Sequence, residues 1–167
     1  TRFKLQLALI GDSPEVEALN EDIEEMQKML QGYIDFARGD AEETTGTASL
    51  SALFRRQQED FELSGKSMHY VVIGEDDVTV RPNAFARLIA NLASNAKRHA
   101  DSLEITAEHG EKWLTVTFDD DGPGISPEMR EEVFKPFLRL DNARNLDSSG
   151  PGLGLAIARA IARPHGG

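Results

Sequence analysis

Hydrophobic positions along this chain recur at two spacings, three-to-four residues and two residues, and the changes between them divide it into elements. Phe3, Leu7 and Ile10 fall at helical spacing, with Leu5, Ala8 and Leu9 widening the apolar face. Gly11 is placed to stop that helix. Asp12-Ser13-Pro14-Glu15 starts another, with Ser13 as N-cap, Pro14 at the first helical position and acid in the first turn. Val16, Leu19, Ile23, Met26, Leu30, Tyr33 and Ala37 then alternate steps of three and four, which is a heptad seam. Met29, Ile34 and Phe36 widen it to the breadth a bundle needs. The short turn makes residues 1–38 an antiparallel helical hairpin. One hairpin buries little apolar area, so it either pairs with a second copy as a four-helix bundle or packs on its own C-terminal domain.

Gly39 to Thr47 is polar and glycine-containing, and residues 39–48 read as a linker before a second domain at 49–167. Ser49 or Ser51 can cap a helix carrying Leu53, Phe54 and Phe61. Met68 to Gly74 and Val78 to Arg81 read as strands joined by the acidic turn Glu75-Asp76-Asp77. Pro82 opens a helix to about Ala100, with Phe85, Leu88, Ile89, Leu92, Ala93 and Ala96 on its core face. Ser102–Glu108 and Lys112–Asp119 alternate and pair as a hairpin through His109-Gly110-Glu111. Ser126-Pro127-Glu128 reads as a capped helix start, ended by Glu132-Val133-Phe134-Lys135-Pro136-Phe137. Arg139 to Ser149 holds few apolar residues and reads as a mobile loop. Gly150-Pro151-Gly152-Leu153-Gly154-Leu155 then opens a last helix to about Ala162.

The net charge of −11 argues against nucleic acid as a partner, because an acidic surface repels phosphate backbones. The chain has no cysteine, so disulfides and thiolate metal sites are excluded. No apolar run approaches membrane-span length, and no signal-peptide pattern opens the chain.

Three stretches carry candidate chemistry. The strand Trp113–Phe118 runs into Asp119-Asp120-Asp121-Gly122-Pro123-Gly124-Ile125. A carboxylate at a strand end accepts hydrogen bonds from an exocyclic amine, and the glycines let backbone approach a flat ring. By itself the stretch is equally an acidic turn. Asn91 and Asn95 lie one helical turn apart, with Arg98 continuing their side and His99 next to it. Amide oxygens suit hard cations and a guanidinium suits phosphate. Taken alone, two exposed amides on a surface helix are the simpler reading. The glycines before the last helix put free N–H groups at an anion-binding end. The polar loop beside them reads as a lid over phosphates.

Asn91-Leu92-Ala93-Ser94-Asn95-Ala96-Lys97-Arg98-His99, Asp120-Asp121-Gly122-Pro123-Gly124, Phe134-Lys135-Pro136-Phe137 and Gly150-Pro151-Gly152-Leu153-Gly154-Leu155 stand in one order. Together they resemble the N, G1, F and G2 boxes of bacterial sensor histidine kinases, most of all the osmosensor-type branch. The hairpin resembles the dimerisation and histidine-phosphotransfer domain of that family. The resemblance implies an α+β chain: a helical hairpin followed by an α/β sandwich that binds ATP and Mg²⁺. It implies Asn95, and with it Asn91, at Mg²⁺ or the phosphates, and Asp120 at the adenine amine, with Gly122, Gly124 and Ile125 around the base. It places Arg98, His99 and Arg139 near phosphate, sugar or base, and gives Gly150, Gly152, Leu153, Gly154 and Leu155 to the phosphates. It also implies a homodimer, a response-regulator receiver domain as partner, a cytoplasmic location for these residues, and a membrane anchor carried only by segments outside this chain.

The chain departs from the family pattern in three places. None of His69, His99, His109 and His165 has the acidic and Arg-Thr-Pro surroundings of the phosphoacceptor, so the chain is expected to bind ATP without phosphorylating itself. It ends at His165-Gly166-Gly167, where closing strands usually follow. Pro151 and Pro164 replace more flexible residues, and Pro164 should end its helix. Two rival readings are an ATPase of the wider gyrase and chaperone superfamily and a non-catalytic dimeric nucleotide-binding module. The first needs a catalytic acid one turn before the Asn, where Asn91 stands.

Overall fold

A computed structural model describes residues 43–138 and 152–165. The expected hairpin of residues 1–38, and with it the bundle, lies outside the described residues. Five strands and three α-helices are described: β1 (Gly46–Ser49), α1 (Leu50–Leu63), β2 (Ser67–Gly74), β3 (Asp77–Val80), α2 (Pro82–His99), β4 (Ser102–His109), β5 (Leu114–Asp120) and α3 (Gly154–Ala162).

β4 is the centre of a three-stranded mixed sheet. β2 runs parallel to it and β5 antiparallel, in the order β2-β4-β5. A parallel neighbour requires a crossover, and α2 supplies it. Met68, Leu103, Ile105 and Ala107 point inward, joined by the half-buried Tyr70, Val72, Leu114, Val116 and Phe118. They meet Leu50, Phe54 and Phe61 of α1 and Phe85, Ile89, Ala93 and Ala96 of α2. The other sheet face carries exposed His69, Val71, Ile73, Glu104, Thr115, Thr117 and Asp119. The helices therefore cover one face of a mixed sheet, as the resemblance implies. The alternation between Lys112 and Asp119 gives the β4–β5 hairpin with the expected face inward.

Gly46–Ser49, at the end of the expected linker, is instead a strand, paired antiparallel with β3. Glu43 is also tied to this domain. Its carboxylate accepts hydrogen bonds from the backbone N–H groups of Asn83 and Ala84 and from Asn83 Nδ2, at 2.8–3.0 Å, and so caps α2. β2 and β3 are strands as read, but they are not partners. The turn between them is drawn to α1. Asp76 accepts from Ser49 Oγ, Ser51 Oγ and Ser51 N, and its carbonyl accepts from Leu50 N. Ser49 in turn caps α1 by accepting from Ala52 N. Ser126 makes no cap bond, and the expected helix there is two short 3₁₀ turns, Pro127–Met129 and Glu132–Phe134. The last α-helix ends at Ala162 and tightens to a 3₁₀ turn at Arg163–His165, where Pro164 removes a donor.

Three carboxylates in these joints are held below the usual range. Asp76 is lowered first by the Ser49 hydroxyl and then by Ser51. Glu43 is lowered chiefly by the Asn83 amide, and Asp121 by the Ser102 and Asp101 amides. A folded-state pKa below the unfolded value gives stability that is present above the unfolded value, about 4, and lost as pH falls through the folded one. Thermal melts should hold level from pH 7 to about 5 and then fall steadily toward pH 3. Asp76→Asn should flatten that acid limb. A limb of unchanged slope in this variant would remove Asp76 from the account.

Candidate functional site

α2 is the scaffold of the site. Pro82 stands at its start, Glu43 caps it, and Ala84, Phe85, Ile89, Ala93 and Ala96 are buried along one stripe. Fixing that stripe fixes the rest of the helix surface. Asn91 and Asn95 come out half-buried and a turn apart, while Arg98 and His99 are exposed at the C-terminal end.

α3 packs on a second side of α2. Leu153, Ile157 and Ile161 form a cluster with Ala84, against which Leu88 leans. Leu153 is 2% exposed, so its side chain anchors this end of α3 in the cluster. Leu153 is also the N-cap and carries no capping oxygen, so among the described residues no side chain caps the first N–H groups of α3. This end of α3 meets α2 at Asn91: a Cβ on Gly154 would lie 3.5 Å from Asn91 Oδ1. Before it, Phe137 N donates to Gly152 O at 3.0 Å. Gly152 has φ +68°, and a Cβ there would come within 2.8 Å of Leu138 O. Arg159 of α3 holds the 3₁₀ segment in place, with its guanidinium 5.0 Å from the Phe134 ring centre and 3.2 Å from Glu131 Oε2.

At the other end, β5 delivers three adjacent carboxylates to three places. Asp119 stands on the open face of the sheet. Asp121 Oδ1 accepts from Asp101 N and Ser102 N, both at 2.9 Å, and so ties the turn to the α2–β4 connection. Asp120 Oδ1 accepts from Gly122 N at 2.9 Å. Among the described residues nothing bonds to its Oδ2. Gly122 sits so close that a Cβ would be 2.6 Å from Asp120 Oδ1 and 3.0 Å from His99 O. Gly124 has φ +70° with open space around it.

A cleft of about 290 Å³ opens at the C-terminal end of α2, lined in part by Arg98, His99, Asp121, Gly122 and Lys66. The structure thus brings Asn91 to Gly154, and Arg98 and His99 to Gly122. Asn95 lies on α2, Leu155 on α3 and Ile125 in the loop after β5, while Arg139 and Gly150 lie outside the described residues. Lys66 and Arg159 were not legible as site residues, because each acts on elements distant in sequence. Among the described residues no cluster of His, Asp and Glu could hold a metal unaided.

An α/β layer with an amide-bearing helix, a single carboxylate against a glycine turn and an uncapped glycine-led helix defines a nucleotide-binding domain. The chain belongs to the histidine kinase-, DNA gyrase B-, and HSP90-like ATPase family, whose model matches residues 80–167. The sensor histidine kinase CpxA of Escherichia coli strain K12 is 31% identical over 179 residues, covering 100% of this chain and 39% of that protein. The sensor histidine kinase GtrS of Pseudomonas aeruginosa is 30% identical over 168 residues, covering 100% of this chain and 34% of that protein. The chain thus spans about two fifths or less of these curated relatives. The crystal structure of full-length ShkA in complex with AMPPNP matches with a TM-score of 0.73 and 22% identity, over 89% of this chain and 33% of that one, and shows the same fold.

Proposed function

We propose that these residues are the ATP- and Mg²⁺-binding core of a two-component sensor histidine kinase. The meeting of Asn91 with the start of α3 carries this reading, because it puts an amide oxygen beside N–H groups that no side chain among the described residues caps, at an anion-binding end. When bound, ATP supplies the phosphoryl group that passes to a histidine and then to an aspartate of a response regulator. The residues of this chain bind and orient it. Asp120 accepts from the adenine amine, and Gly122, Gly124 and Ile125 leave room for the ring. Asn95, with Asn91, ligates Mg²⁺ or turns the phosphates. Arg98 and Arg139 offset phosphate charge, His99 borders sugar or base, and backbone N–H groups at Gly150, Gly152, Leu153, Gly154 and Leu155 hold the phosphates. Phosphoryl transfer depends on positioning and charge stabilisation, which are what such groups provide.

Hydrolysis of the gyrase or chaperone kind is disfavoured. α2 contains no Asp or Glu anywhere along its length, so it offers no base to activate water. Residues 1–38 would supply the homodimer contact, and the response regulator would dock on the assembled protein. Among the described residues no helix is long and apolar enough to cross a membrane. A cytoplasmic place for these residues, within a protein anchored in a bacterial inner membrane, follows from the same reading.

Asn95→Ala tests the metal assignment. Nucleotide binding should lose its enhancement by Mg²⁺ while the circular dichroism spectrum and melting point hold. Binding that stays Mg²⁺-dependent in this variant would move the ligand role elsewhere.

A further inference from the structure

The α2 terminus that borders the cleft is held by a side chain from outside the sequence motifs. Lys66 Nζ donates to Lys97 O at 2.8 Å and to Ala100 O at 2.7 Å. It also lies 3.4 Å from Asp101 Oδ1, a carboxylate that is 92% exposed and so adds little. The carbonyls at the end of a helix lack intrahelical partners and carry the negative pole of its dipole, so an ammonium there both satisfies and neutralises them. Lys66 is fixed in turn, since the next residue, Ser67, donates its N–H to Asp101 O at 3.1 Å.

The carbonyls that Lys66 gathers flank Arg98 and His99. His99 O is the backbone surface against which Gly122 is packed, and Gly122 N holds Asp120 Oδ1. We propose that Lys66 is a positioning residue for the nucleotide site. Through the last turn of α2 it sets where Gly122 sits, and through Gly122 it aims the free oxygen of Asp120. The inference rests on the adenine role of Asp120 for its effect on ligand choice, and on the described contacts alone for its effect on Gly122.

The test compares Lys66→Met, which keeps the stem and removes the ammonium, with Lys66→Arg, which can still donate to two carbonyls. ATP and ITP are titrated into each, since ITP presents a carbonyl where ATP presents the amine. Hydrogen exchange of the Gly122 amide is measured without ligand. In Lys66→Met the ATP-over-ITP preference should fall by about fivefold or more, and Gly122 should exchange faster. Lys66→Arg should restore both. A lower melting point in Lys66→Met with an unchanged preference and unchanged Gly122 protection would overturn the proposal, because a merely structural role does that. If the unmutated chain binds neither nucleotide, the proposed function fails, and Gly122 exchange alone decides on Lys66. Should Lys66→Met not fold, Lys66→Gln, with a shorter and uncharged donor, is read by the same two measurements.

Discussion

Asp120→Asn should weaken ATP binding by about ten- to a hundredfold, the worth of a hydrogen bond to a charged group. One Asp120 oxygen is already committed to Gly122 N. An Asn in its place keeps that bond with its carbonyl oxygen and turns its NH₂ toward the adenine amine, donor against donor. Asp119→Asn should leave affinity nearly unchanged, because Asp119 stands on the open face of the sheet opposite Glu104. Calorimetric titration of both variants checks the pair. Equal losses at the two positions would contradict the assignment.

Gly152→Ala should cost more than its backbone angle alone explains. Gly65 provides the comparison: it has φ +75° with nothing within 4 Å of a built Cβ, whereas Gly152 has φ +68° and backbone atoms at 2.8–3.2 Å. A left-handed non-glycine residue costs about 1–2 kcal/mol in either place. At Gly152 the methyl group must also displace the Leu138 carbonyl, which puts at risk the Phe137–Gly152 hydrogen bond, worth about another 1 kcal/mol. In a chain of this size each kcal/mol moves the melting point by about 2–4 °C. Gly152→Ala should therefore melt below Gly65→Ala, and only Gly152→Ala should weaken ATP binding. Equal melting points would mean that the close approach carries no energy.

The parts of this fold that were legible in the sequence are those set by local pattern. α2 was readable because its apolar stripe, its N1 proline and its asparagines all obey one helical period. The β4–β5 hairpin was readable because both strands alternate and adjoin. β1 was not, since Gly-Thr-Ala-Ser has no alternation and becomes a strand only by pairing with β3, some thirty residues on. The partnership of β2 was also hidden. The acidic turn after it joins β2 to β3 in sequence, but Asp76 serves the serines at α1 instead of closing a pair between them. The motif residues were legible as types, but Asp119, Asp120 and Asp121 are identical in sequence and separate only in space. Lys66 had no signal at all, because its partners lie about thirty residues away.

On the proposed function, α2, the Asp120 turn and the start of α3 together hold one ATP. The direct measurement is a titration of the ¹⁵N-labelled chain with ATP and Mg²⁺, following backbone amides. Saturable shifts should appear at Gly122, Gly124, Gly154 and Leu155, with a Kd between micromolar and sub-millimolar, while Val71, Ile73 and Thr117 on the open sheet face stay still. No saturable shift, or shifts centred on that open face, would contradict it.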